Sequence, residues 1–291
     1  MTTGPRREPC CRETPARTLR QRAGSLVERL KFAWVCGGSL KDSLRLFYYI
    51  RIKPSLVFRG WNSYSPERVL DFSIKTGSAG FRVYARDNGP EVGTIAEFFS
   101  PECRLVPEEL PVLRPEVIYD VGANIGIASL RFATLYPDAR FYGFEPVPSN
   151  HEVCVLNYRN LRRAQVFPWA VGSRTEVTCF EYNDDPRGGH LGAVAGMPGL
   201  QPRGRIEVQV YSIADLVREQ RLEPPSFLKI DVEGAELEVL RGIGGIVQSI
   251  KRIFVETHGE DLKAECSRWL GEHGFRIQPS SDPTALWADR A

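Results

Sequence analysis

Pro115-Glu-Val-Ile-Tyr-Asp120-Val-Gly122-Ala-Asn124-Ile-Gly126 decides how this chain folds. Val117 to Tyr119 reads as a buried apolar strand that runs into a carboxylate, Asp120. Gly122 and Gly126 follow, and helical periodicity then runs through Ile125, Ala128, Phe132 and Leu135 until Pro137 stops it. Glycine in a strand-to-helix turn removes the Cβ, so a nucleotide-like ligand can come close to the backbone. The turn is Gly-x-x-x-Gly, which is not the Gly-x-Gly-x-x-Gly pattern that a dinucleotide pyrophosphate needs.

A carboxylate at the strand end repels phosphate and suits a ligand with a cationic amino group. S-adenosylmethionine carries such a group, and NAD does not. The next short apolar strand, Arg140-Phe-Tyr-Gly-Phe144, also ends in an acid, Glu145, 25 residues after Asp120. That interval is close to the roughly 20 residues that separate a glycine turn from an acid binding ribose hydroxyls. Ser149-Asn-His-Glu152 then reads as a capping box for the second helix.

Ser226-Phe-Leu-Lys-Ile-Asp231-Val-Glu233-Gly-Ala-Glu236-Leu-Glu-Val-Leu-Arg-Gly242 is a third junction of this kind, apolar apart from Lys229, with carboxylates crowding the start of its helix. Glu236 and Glu238 read there as surface residues that complement the helix dipole. Together with Asp120-Val-Gly-Ala-Asn-Ile-Gly126 and Val255-Glu-Thr-His258, this stretch resembles the FkbM-type family of S-adenosylmethionine-dependent methyltransferases. The resemblance runs from the second third of the chain to its end, and more loosely over Asp87 to Phe99. It departs at Ile213-Ala214-Asp215-Leu216, where such sequences usually carry Leu-Asp-Asp-Leu, which bears on a helix cap or surface contact. The resemblance implies a Rossmann-like class I methyltransferase fold and an O-methyltransferase acting on a hydroxyl of a sugar or polyketide-like metabolite, as in secondary metabolite biosynthesis.

From Glu116 onward strands and helices alternate, which implies an α/β domain with a mostly parallel sheet and helices on both faces. Strands are expected near 117–119, 140–144, 165–167, 226–230 and 252–256, with a closing pair near 274–278 and 285–288, seven in all. Right-handed crossovers bring Asp120, Glu145, Asp231 and His258 to one edge of the sheet, where such folds bind ligands. Asp120, Gly122, Asn124, Gly126, Glu145 and Asp231 are the expected cofactor contacts. His258 is the expected acid-base group near neutral pH, with Asp231 or Glu256 orienting it. A divalent metal held by Asp231, Glu233, Glu256 and His258 is an alternative activator, although their spacing matches no recognised metal motif. Two other classes compete. A nicotinamide-dependent oxidoreductase should show the dinucleotide glycine pattern, and a non-catalytic cofactor-binding protein should lack the acids and histidine on the acceptor side.

The 291 residues divide into an Arg-rich head over 1–24, expected to be disordered, an N-terminal helical and β cap over 25–112, and a methyltransferase domain over 113–291. Ser25-Leu-Val-Glu28 reads as the capping box of a helix that breaks at Gly37-Gly38, and a second helix follows from Ser39 to Ile52. Val69 to Tyr84 suggests a strand pair turning at Thr76-Gly77, and Tyr182 to Arg205 reads as a long irregular loop over the acceptor. A net charge of +2 gives no general attraction for nucleic acid. No stretch is long enough for stable membrane insertion. Seven cysteines, without Cys-x-x-Cys, favour reduced thiols in a cytoplasmic protein. The partner expected is a small-molecule substrate, and a homo-oligomer is left open.

Overall fold

The computed structural model describes residues 19–77, 79–100, 112–182, 204–219, 221–280 and 282–291. The N-terminal part comprises α1 (Leu19–Cys36), α2 (Leu40–Phe47), a π-helical turn (Tyr48–Ile52), α3 (Lys53–Phe58), the strands β1 (Ser65–Thr76) and β2 (Ala79–Asp87), and α4 (Gly89–Phe99). Helix α1 begins at Leu19, so Ser25 lies inside it and the expected capping box does not start a helix. The expected head therefore loses its last six residues to α1, while residues 1–18, with Cys10 and Cys11, lie outside the described residues. The second helix begins as expected, with Ser39 Oγ accepting from Asp42 N. It continues past Ile52, because Pro54 falls in the first turn of α3, where its missing N–H costs nothing. The strand pair is an antiparallel hairpin whose Thr76 and Ala79 face each other across the turn.

The remainder is β3 (Val117–Val121), α5 (Ile127–Leu135), β4 (Arg140–Phe144), α6 (Pro148–Tyr158), β5 (Ala164–Phe167), β6 (Ala170–Val171), β7 (Glu176–Tyr182), β8 (Gly204–Tyr211), α7 (Ile213–Arg218), β9 (Phe227–Ile230), α8 (Glu236–Arg241), β10 (Arg252–Glu256), α9 (Glu260–Glu272), β11 (Phe275–Gln278) and β12 (Ala285–Arg290). Seven strands form one sheet in the order β11-β12-β10-β9-β3-β4-β5. The five strands from β10 to β5 are mutually parallel, and β12 alone runs against its neighbours. The chain winds outward from β3 through β4 to β5, then returns to build β9 on the other side of β3. That reversal opens a crevice beyond the ends of β3 and β9, the place where open α/β sheets hold ligands.

Side chains alternate between the two faces of each strand. Ile118, Phe141, Phe227, Phe254 and Trp287 pack on the face covered by α5 and α6, in a cluster that also contains Phe32, Leu46, Phe72, Val83 and Ile95 of the N-terminal part. Tyr119, Tyr142, Leu228, Ile253 and Leu286 pack on the opposite face, against α7, α8 and α9. Each fully buried Phe or Leu contributes roughly 1.5–3 kcal/mol. The N-terminal cap thus shares one apolar core with the sheet. Polar ties reinforce the joint. The Asn157 side chain accepts from Tyr84 N at 2.8 Å and donates to Tyr84 O at 2.8 Å, while Asn160 pairs with the backbone of Arg82 at 3.1 and 3.0 Å.

Two local readings change. Helix α6 starts at Pro148 behind Val147 with no side-chain cap, so Ser149–Glu152 is not a capping box. A second, three-stranded sheet of order β6-β8-β7 stands beside the main one, and the expected irregular loop is flanked by β7 and β8. Residues 183–203, with His190, lie outside the described residues, as does Cys103. At the departure noted above, the helix cap is intact: Ser212 Oγ accepts from Asp215 N at 3.1 Å, and Ala214 N donates to Gly242 O at 2.9 Å. No helix among the described residues is long and apolar enough to cross a membrane.

Candidate active site

The crevice is an open cleft of about 570 Å³. Gly122, Asn124, Glu145, Asn150, Asp231 and Glu233 line it, and Val147, Trp169 and Phe180 supply apolar wall. Gly122 sets the width of the seam between β3 and β9. Its φ is +76°, and a Cβ there would sit 1.7 Å from the carbonyl oxygen of Asp231, so this position admits no side chain. Asn124 tolerates its positive φ of 49° as asparagine commonly does, and its N–H donates to Glu145 Oε2 at 2.9 Å. Glu145 Oε1 accepts from Val147 N at 2.9 Å and, at 3.5 Å, from Asn150 Nδ2. Burial pushes the Glu145 carboxyl up to about 7, against the pull of these donors and of Lys229.

Asp120 is not part of the cleft surface, contrary to the expectation that it meets the cofactor. It is fully buried, because it projects from β3 to the α5–α6 side together with Ile118. There its Oδ2 accepts from Ser129 Oγ at 2.7 Å and its Oδ1 lies 2.9 Å from Lys229 Nζ. Lys229 also donates to Gly122 O at 2.7 Å and approaches Asp231 Oδ2 at 3.4 Å. Burial alone would lower its ammonium, but Asp120 and Asp231 raise it above the ordinary lysine value, so it stays charged. The odd lysine of the third strand is a buried brace that pins the glycine turn to β9. Gly126 is likewise a packing residue. A Cβ there would come within 3.1 Å of Cys154 Sγ and the Tyr158 ring, and the position does not line the cleft.

Beyond Asp231, the ligand atoms of Asp231, Glu256 and His258 lie within 4.8 Å of one another. His258 Nδ1 is 2.8 Å from Glu236 Oε1, and its Nε2 is 3.3 Å from Glu233 Oε2. The bond to Glu236 raises the His258 pKa to about 9 against burial, and Glu233 adds to it. The two neighbouring carboxylates thus favour the protonated ring, which can donate to both of them. That raised value departs from the near-neutral base expected of His258, while Asp231, Glu256 and His258 stay close enough together for one ion to meet all three. Glu236 is not a surface residue either: it is fully buried and also accepts from Gly234 N at 3.0 Å. Glu238 is a surface residue, paired with Arg241 at 2.5 Å. Glu256 lies in the same group, near Asp231 and His258. Burial, then Asp231, raise its carboxyl to about 7, while Lys229 and His258 hold it down. Asn150, Trp169 and Phe180 escaped the sequence reading, since none stands in a strand-end motif.

The strand order, the glycine turn at the reversal and the buried acid ending the neighbouring strand define the architecture of a class I methyltransferase. A family model described as the methyltransferase FkbM domain matches residues 120–277, more than half of the sequence, and the chain belongs to that family. It is similar to a hexuronic acid methyltransferase of Haloferax volcanii, 29% identical over 169 residues, which are 58% of this chain and 66% of that protein. It is also similar to the 31-O-demethyl-FK506 methyltransferase of Streptomyces tacrolimicus, 28% identical over 216 residues, 64% of this chain and 82% of that protein. A 2-O-methyltransferase of Sinorhizobium fredii is 27% identical over 157 residues, 50% of this chain and 65% of that protein. The chain spans just under two thirds of the first and last of these relatives. The chain thus carries the methyltransferase domain of that family, and the dinucleotide oxidoreductase reading is set aside.

Proposed function

We propose that this methyltransferase moves the sulfonium methyl of S-adenosylmethionine to a hydroxyl of a small-molecule acceptor, such as a sugar or a polyketide-like alcohol. The observation that carries the reading is that Glu145 and Asp231 line one cleft together with Gly122, whose backbone lies against Asp231. The residues present fit that cofactor: a carboxylate cradled by N–H donors suits a ribose diol, and the bare backbone at Gly122 leaves room that a Cβ would fill. Relatives named for a hexuronic acid and for 2-O-methylation support an oxygen acceptor.

When bound, S-adenosylmethionine supplies an activated methyl group, so the protein has to align the acceptor and take its proton. Glu145 accepts from the ribose hydroxyls. Asp231, in the same cleft, would hold the cofactor's cationic amino group. Glu256 removes the acceptor proton, because its carboxyl titrates near the pH at which a general base works best. His258, held charged by Glu236 and Glu233, supplies a fixed positive field that favours the ionised form of Glu256. Incubation with methyl-labelled S-adenosylmethionine and a panel of hexuronic acids and polyketide-like alcohols tests this reading. Label in an O–CH3 group, located by NMR, is the expected result. Label on nitrogen or carbon rejects the hydroxyl acceptor, and failure to bind S-adenosylhomocysteine rejects the cofactor.

A further inference from the structure

We infer that Arg86, on cap strand β2, is a positioning residue for the cofactor carboxylate Glu145 and acts on it through the side-chain amide of Asn150. The inference rests on Glu145 being the ribose acceptor.

The geometry runs in one direction from the cap to the cleft. Glu91 on α4, almost fully buried, takes the Arg86 backbone N–H at 2.6 Å and its Nε at 2.5 Å, and Asn88 Nδ2 donates to the same carboxylate at 2.9 Å. The guanidinium is thereby locked, and its Nη2 donates to Asn150 Oδ1. A guanidinium carries donors alone, so the Asn150 carbonyl must face Arg86 and its NH2 must face the other way. On that other side lies Glu145 Oε1, 3.5 Å from Nδ2. Turning the amide over would set its oxygen against the Glu145 carboxylate and its NH2 against the guanidinium, two mismatches at once in a buried site. Asn150 is therefore held as a donor by a residue that does not line the cleft. Its direct bond is long. Its contribution lies in keeping Glu145 an ionised acceptor in a fixed orientation.

Other groups also face this carboxyl. Lys229 approaches from β9 and Cys154 from α6, and the N–H groups of Asn124 and Val147 complete the cradle. Burial drives the Cys154 thiol well above its ordinary value, and the acids around Lys229 keep that ammonium charged. Neither titrates near neutrality, whereas Glu256 beside Asp231 does, so the pH dependence of cofactor affinity is read in the Glu256→Gln background, where it reports on Glu145.

Calorimetry of S-adenosylhomocysteine with the full chain provides the test. Glu145→Gln should weaken binding by about tenfold or more, and Arg86→Met by about threefold to tenfold. In the Glu145→Gln background, Arg86→Met should cost nothing further, because its target is gone. An equal loss in both backgrounds means that Arg86 acts through the fold at large and overturns the inference. Unchanged affinity in Glu145→Gln alone removes the ribose reading and this inference with it, a result distinct from the first. If Arg86→Met fails to fold, the nearly isosteric Asn150→Asp serves instead. Without the amide donor, and with a second carboxyl beside it, Glu145 should protonate more readily. The pH below which affinity falls should then rise by about one unit. An unmoved midpoint would also overturn the inference.

Discussion

Two carboxyls are raised by burial to about 7, Glu145 in the cleft wall and Glu256 beside Asp231, yet their surroundings are built from different materials. Glu145 is held chiefly by neutral N–H donors from Asn124, Val147 and Asn150, which cannot titrate, with Lys229 a lesser influence. Glu256 sits among charges, with Asp231 raising its pKa and Lys229 and His258 lowering it. A carboxylate held by dipoles keeps its place and accepts hydrogen bonds, which suits binding. One balanced between opposing charges changes its proton occupancy with small changes nearby, which suits proton transfer. Similar pKa values therefore mark different tasks, and the surroundings tell them apart.

The largest expected effect is at the carboxyl among charges. Glu256→Gln should lower turnover by about 10²–10⁴-fold while leaving S-adenosylhomocysteine affinity intact. In the native enzyme kcat/KM should rise with pH through about 7 as Glu256 loses its proton, and that limb should vanish in the variant. A variant of full activity would break the contrast. At the carboxyl among dipoles, Glu145→Ala should act on affinity instead, weakening S-adenosylhomocysteine by about tenfold or more, with a smaller change in turnover at saturating cofactor. Equal damage to both parameters would show that the two carboxyls do not divide the work.

The smallest effect concerns stability. Folding raises the His258 pKa from 6.5 to about 9, so its contribution is complete below pH 6.5 and is lost as pH climbs through 9. The melting temperature of the native protein should exceed that of His258→Gln by a few degrees at pH 6, and the gap should close by pH 9.5. A gap that widens with pH would mean that the ring is neutral in the fold, and His258 would return as a candidate base.

The strands of the main sheet were legible because each is a short apolar run ended by an acid or a turn. β4 and β10 fall at the expected residues, and β3 extends two residues further because Asp120 and Val121 continue the pairing with β4. The second sheet was not legible, since β7 finds its partner only beyond residues 183–203 and no local pattern announces so distant a pairing. At the site, position could be read and charge could not. Asp120, Glu145, Asp231 and His258 stand at strand ends as expected, but one step of strand alternation buries Asp120 against Lys229. Glu236 looked like an ordinary acid at a helix start. Its partner His258 is 22 residues away, and that contact gives the histidine its charge.

Asn157 and Asn160 have a consequence beyond joining the cap to the sheet. Each side-chain amide offers one donor and one acceptor, as a peptide group does, and together they occupy the backbone of Arg82 and Tyr84 along the side of β2 that faces away from β1. Helix α6 and the turn that follows it thus lend the hairpin a substitute strand. Unpaired strand edges recruit strands from other molecules, and a hairpin this long would be such an edge in any truncation or chimera that lacked the two asparagines. The same pair therefore acts as a guard against chain-to-chain association, and a grafted cap would need it before it needed any residue of the active site.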